Sequence, residues 1–273
     1  MSSERREHGT TVTEIATTAP PALDLAPAPG RAGYLGMVAR QAWTETLLTV
    51  RRGESVLLTL VIPLALLGFF SAVDVLPTDG GHRVDFLAPG ILALAVTSTA
   101  FTGQAIATGF ERSYGVLRRL SCTPLPRSAL LAGKSAAVAA VELLQLLLVV
   151  ALAFALGWSP HGNAAAVVLL VLLGTVACSG CGLLMAGTLP ALLTLAAANA
   201  VYLVLLLLGG VIFPASKLGV LEGLSRALPT GALAHGLRAV LQHGAAVPGA
   251  DIGVLLAWAV GTLGVASFTF RWE

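Results

Sequence analysis

Several stretches of this sequence carry residue types whose spacing could do chemistry. SALLAGKS, residues 128–135, approaches the phosphate-cradling pattern G-x-x-x-x-G-K-[ST]. Ser128 replaces its first glycine, no strand-like run precedes it and a long apolar run follows, so nucleotide binding is not expected there. Cys178 and Cys181 have C-x-x-C spacing, which in a solvated setting would suit a redox pair or a metal. They lie in an apolar run beside Gly174, Gly180 and Gly182, where small residues let helices approach, and packing is the expected role. His82, His161, His235 and His243 follow no metal-ligand spacing, and no Ser/His/Asp set or pair of acids stands out. Neither a metal site nor a hydrolytic centre is expected. Glu142 is different, because it sits inside an apolar run with Gln145 three residues on, on the same side of a helix. An acid at that depth faces a wet cavity or the protein interior and is a functional candidate, so Glu142 and Gln145 are candidates for a translocation cavity. The alternative is a hydrogen bond between helices.

The elements that must position these residues are apolar helices. Of 273 residues, 56% are apolar and only 11% charged, against about 25% charged in an average soluble domain. An all-α integral membrane protein is expected. The net charge of +2 gives no basic footprint for nucleic acid. A crossing needs about 20 mostly apolar residues. Six segments qualify: 55–73, 86–110, 135–157, 164–187, 191–214 and 252–270. The fourth and fifth come from one run of 55 residues without charge or histidine, too long for a single helix and hinged near Thr188-Leu189-Pro190.

Between the second and third segments lies a charge-dense island, residues 111–134, holding Arg112, Arg118, Arg119, Arg127 and Lys134 with the single acid Glu111. Basic loops are retained in the cytoplasm. With both termini on that side, twelve basic residues lie inside and four outside: Arg83, Lys217, Arg226 and Arg238. Residues 1–30, rich in Thr, Ala and Pro, read as a disordered cytoplasmic tail rather than a signal peptide, because no apolar core follows their basic start. Residues 31–54 can form an interfacial amphipathic helix with Leu35, Val38, Ala39, Ala42 and Trp43 on one side. Residues 55–273 then form the membrane domain. Between its fifth and sixth spans, Leu218, Leu221 and Leu224, then Leu233, Leu237 and Val240, suggest two short amphipathic helices on the outer leaflet, divided at Pro229.

The island and the outer segment together carry a resemblance. Glu111-Arg112, Gly115, Leu117, Arg119-Leu120, Thr123-Pro124, Arg127 and Gly133-Lys134 resemble the cytoplasmic loop of ABC type-2 permeases, closest to the daunorubicin-resistance type of drug exporter. Leu87-Ala88-Pro89-Gly90, Phe213-Pro214, Leu228-Pro229-Thr230 and Leu237-Arg238 resemble the other recurring signatures of that family. The resemblance implies a permease subunit in the cell membrane that dimerises and is driven by two copies of a separate ABC ATPase. ATP and Mg would then be bound by that partner, and this chain would have no cofactor or catalytic residues of its own. It also implies an ATPase-coupling loop made of Glu111, Arg112, Gly115, Leu117, Arg118, Arg119, Leu120, Pro124 and Arg127. Gly115 permits a turn, residues 116–120 can form a short helix, and Pro124 and Pro126 end it. Arg118 and Arg119 offer charge-assisted contacts; the plainer role is anchorage at lipid headgroups. The expected cargo is a hydrophobic drug or secondary metabolite, as in antibiotic resistance, with a polysaccharide or lipid-linked glycan as the alternative. An ion-coupled secondary transporter would need more intramembrane charge than Glu142 supplies.

Overall fold

The computed structural model describes residues 33–51, 53–73, 83–116, 126–211 and 219–269. It is helical throughout, with no strand among the described residues. The helices are α1 (Tyr34–Arg51), α2 (Gly53–Ala72), α3 (Arg83–Val96), a π-helical segment (Thr97–Gly103), α4 (Gln104–Ser113), α5 (Arg127–Ala155), α6 (Ala164–Thr188), α7 (Ala191–Leu208), α8 (Glu222–Ala227), α9 (Pro229–Leu241) and α10 (Gly249–Thr269). Among the described residues, five rods are long and apolar enough to cross a membrane: the continuous α3–π–α4 rod, α5, α6, α7 and α10. The shortest, α7, has 18 residues and reaches about 27 Å at ~1.5 Å per residue. In α2 the stretch Leu60–Ala72 is apolar but shorter.

The α3–π–α4 rod is the axis of the bundle. Its apolar window is 83% buried, whereas that of α7 is only 17% buried. The run from Leu87 to Val96 is buried on every side because α2, α5, α6 and α9 all pack on α3. Such a helix needs no polar face. Outward, Leu143 and Leu147 of α5, Leu192 and Leu203 of α7 and Val260 of α10 remain exposed, as suits a surface covered by hydrocarbon.

Several boundaries differ from the sequence expectation. The third span starts at Arg127 rather than residue 135, so the last turns of the charged island belong to α5. SALLAGKS is therefore helix, and its backbone N–H groups cannot curl around a phosphate. The second outer helix, α9, does not lie on a leaflet: Leu233, Leu237 and Val240 are in the core, and α3, α6 and α10 pack around it. Its apolar stripe is a core face, a pattern that an interfacial helix shares. Of the first outer stripe, Leu221 and Leu224 are exposed and Leu218 is outside the described residues.

α1 packs along the start of α5. Its packed side is Met37, Val38, Gln41, Ala42, Glu45, Thr46 and Thr49, a seam at three- and four-residue spacing that includes polar groups. Leu35, Ala39, Trp43 and Leu47 are exposed together on a second side, and Arg40, Thr44 and Arg51 on a third. The expected apolar side is thus split, Val38 and Ala42 turning inward.

Candidate functional site

Two ends of the bundle concentrate the residues singled out in the sequence. At the loop end, α1, α4 and the start of α5 meet. Lys134, with 5% of its side chain exposed, donates to Glu45 Oε1 at 2.8 Å and also to Glu111. Gln41 Nε2 donates to the same Glu45 oxygen at 2.8 Å. Gly133 makes the approach of α1 possible, because a Cβ there would sit 2.6 Å from Gln41 Cγ. Glu111 and Gly133-Lys134, distant in sequence, thus build one clamp on α1. Glu45 carried no local signal in the sequence.

Arg112 turns the other way. Its Nη2 donates to the Leu189 carbonyl at 2.7 Å, at the end of α6 and just before α7. α4 ends in a C-terminal turn: Tyr114 N donates to Phe110 O, and Gly115 takes φ +68°, a conformation glycine adopts at no steric cost. Arg127 opens α5. Leu117, Arg118, Arg119, Leu120 and Pro124 lie outside the described residues. What is described is the frame on both sides of that loop.

At the opposite end the signatures around residues 87–90 and 237–238 converge, while Thr230, at the inner start of α9, meets Thr97 deeper in the bundle. Arg238, expected among the solvated outer charges, is buried instead. Its Nη1 donates to Gly210 O and its Nη2 to Val211 O at 2.6 Å, and its guanidinium lies 4.4 Å from the centre of the Phe86 ring. A guanidinium keeps its charge at neutral pH. Gly90 is required beneath it, since a Cβ would meet Val211 O at 2.4 Å and Arg238 Nη2 at 2.8 Å. The partners are backbone carbonyls, which no sequence pattern reveals. Nearby, His235 Nδ1 and Asp251 Oδ2 are 2.8 Å apart.

Between the ends lies a buried polar layer. Thr175 donates to Glu142 Oε1 at 2.6 Å, and Thr99 of the π segment donates to Gln145. Thr97 and Thr230 join their hydroxyls at 3.1 Å. Glu142 is 2% exposed, so it faces α6 within this chain rather than an open surface. Cys178 and Cys181 are free thiols. Their surroundings are those of close helix packing: a Cβ on Gly180 would lie 2.1 Å from Thr262 Oγ1, on Gly182 2.7 Å from Phe101 O, and on Gly174 2.7 Å from Leu233 Cδ2.

A bundle of apolar crossing helices with both ends built from motif residues defines a multi-pass membrane protein. The sequence pattern of the ABC-2 type transporter family matches residues 39–241, roughly three quarters of the chain. The chain belongs to that family, as a permease component that works in the membrane with an ABC ATPase. No curated protein matches the sequence.

Proposed function

We propose that this chain is the permease subunit of an ABC exporter that moves a hydrophobic drug or secondary metabolite out of the cell, using ATP hydrolysed on two copies of a separate ATPase. Two copies of the chain form the pathway through six spans each, α2 being the first. The loop end faces the cytoplasm with both termini, and α1 lies in the inner interface, its Trp43 side toward lipid and its Arg40 side toward water. The observation that carries the reading is the frame around residues 117–125. On one side Glu111 is tied to α5 and α1, Arg112 is tied to the hinge before α7, and Gly115 turns the chain; on the other, Arg127 begins α5. A push on a loop so framed reaches three helices at once. Arg118 and Arg119 would meet the ATPase, and Leu117 and Leu120 would seat the contact.

The cargo proposal rests on the resemblance to daunorubicin-resistance permeases. The test is charge reversal of Arg118 and Arg119, read as co-purification of the ATPase from native membranes and as ATP hydrolysis per compound exported. Loss of the ATPase, or hydrolysis without export, with normal membrane levels is the expected result. Unchanged association and coupling would reduce the loop to a lipid anchor.

A further inference from the structure

The hydrogen bonds around Glu142 do not close with the protons that an ionised carboxylate leaves available. Thr175 has one hydroxyl proton and two oxygen atoms within hydrogen-bond distance, Glu142 Oε1 at 2.6 Å and the Val171 carbonyl at 2.8 Å. The carbonyl can only accept. If Thr175 gives its proton to Glu142, its oxygen is left 2.8 Å from the Val171 carbonyl with no proton between them, and the two lone pairs repel. Thr97 and Thr262 give theirs to Ala93 O and Trp258 O in the same i to i−4 geometry. If Thr175 does likewise, its short contact with Glu142 needs a proton from the carboxyl group. Both contacts are hydrogen bonds at once only when Glu142 is an acid.

The surroundings favour the same form. Glu142 is 2% exposed, and its Oε2 has no hydrogen-bond partner among the described residues. An ionised carboxylate spreads its charge over both oxygens and would leave half of it bare, whereas the Oε2 of an acid is an ordinary carbonyl oxygen. The charged groups of the packed helices are engaged elsewhere. Lys134, about two turns toward the loop end of α5, is committed to Glu45 of α1 and Glu111 of α4, and Arg40 and Arg51 of α1 are exposed. Asp85 of α3 lies at the opposite end, accepting from Ser159 N, and α2 has no titratable residue from Leu60 to Ala72. The π segment contributes Thr97 and Thr99, and α6 contributes the Cys178 thiol, the titratable group that interacts with Glu142 from that helix.

We propose that Glu142 is a proton-binding site inside the bundle: the carboxyl group holds a proton on Oε1 and donates it to Thr175 Oγ1, while Thr175 donates its own to the Val171 carbonyl. On ionisation the carboxyl proton leaves to water and the Thr175 hydroxyl turns from Val171 to Glu142. The bond between α5 and α6 then survives with its direction reversed. The proton is kept while this layer is dry, so a change of shape that brings water to Oε2 would release it. The inference stands on packing and the count of protons, and assumes nothing about cargo or ATPase.

The experiment is infrared difference spectroscopy on the full chain in lipid nanodiscs near neutral pH, where solvated Asp and Glu are ionised and add no carboxylic-acid carbonyl band. The unmodified protein should show such a band, shifting on deuteration, and Glu142→Gln should abolish it. Thr175→Val keeps the branched shape but removes the acceptor, so the band should persist and move to higher frequency, as for an acid with nothing to donate to. If Glu142→Gln does not accumulate in the membrane, Glu142→Asp with isotope-labelled glutamate replaces it: the band should carry the label shift in the unmodified protein and lose it in the variant. No acid band in the unmodified protein, or the same band in Glu142→Gln, would overturn the proton site. A band that Thr175→Val leaves unmoved would overturn the hydrogen-bond arrangement on which the site is built. None of these readings involves ATP or cargo, so their failure would leave the exporter reading standing.

Discussion

Replacing Lys134 with methionine should release α1 from the bundle. The methionine keeps the length of the side chain but leaves Glu45 and Glu111 facing each other without the cation that now joins them. Removing one partner from a buried ion pair costs about 3–5 kcal/mol, chiefly because the remaining charge is stranded. The side chains of Glu45 and Glu111 are 16% and 12% exposed, which lets some water in and places the cost near the lower limit, about 3 kcal/mol. That is roughly a hundredfold shift toward the undocked helix. Exchange of the α1 amides, residues 34–51, should rise by that factor in nanodiscs while α6 stays protected. The decisive comparison is the triple variant Glu45→Gln, Glu111→Gln, Lys134→Met. With no stranded charge it should recover most of the loss, since neutral replacements of a whole buried ionic cluster are often tolerated. A triple variant as damaging as Lys134→Met alone would refute the electrostatic account and leave packing around Gly133 as the cause.

Three further outcomes are expected. Reporters placed after Glu273 and near Arg127 should read cytoplasm, and reporters near Gly162 and Gly244 should read the outside; any reporter on the wrong side overturns the topology. Gly182→Ala should destabilise the bundle by about 1–3 kcal/mol and more than Gly174→Ala, because the first meets the Phe101 carbonyl and the second only the flexible end of Leu233; thermal unfolding in detergent orders the two, and equal effects would contradict the packing geometry. Glu142→Gln retains an oxygen acceptor for Thr175 and should cost under about 1 kcal/mol in the same assay. If Glu142 also meets a cationic cargo, that variant should impair export of charged compounds more than of matched neutral ones, and an equal loss for both would exclude the contact.

Much of the helical layout was legible in the sequence because length and apolar content decide what can cross a bilayer. The hinge at Thr188-Leu189-Pro190 and the turn at Gly115 fell where local chemistry placed them. What was not legible were the charges that leave water. Lys134 reads as part of a solvated loop until Glu45, 89 residues away, is brought beside it. Arg238 reads as an outer topology charge until two carbonyls and the Phe86 ring surround it. Each removes one basic residue from its side of the membrane, so the charge bias itself survives. α9 was misplaced for a related reason: an apolar stripe states that a face is dry, not whether lipid or protein dries it. The π segment, TSTAFTG, gave only a cluster of small and hydroxyl residues as its trace.

The π segment makes the length of the α3–π–α4 rod matter as much as its composition. A helix turns about 100° per residue, so the wider π turns set the azimuth of everything that follows them. Upstream of Thr97 the rod presents Phe86 and Gly90 to Arg238; downstream it presents Glu111 to Lys134 and Arg112 to Leu189. Deleting a single residue between Thr97 and Gly103 would let the rod close into a plain α-helix without losing any motif. It would also keep Glu111 and Arg112 close to their present azimuth, because a π turn holds about one residue more than an α turn; closing all seven residues into α-helix without a deletion is what would swing them about a quarter turn out of alignment with their partners. The rod is in this sense a phase plate between its two ends, and a conversion of the π turns to α turns at constant length, which leaves hydropathy untouched, would disconnect one end from the other.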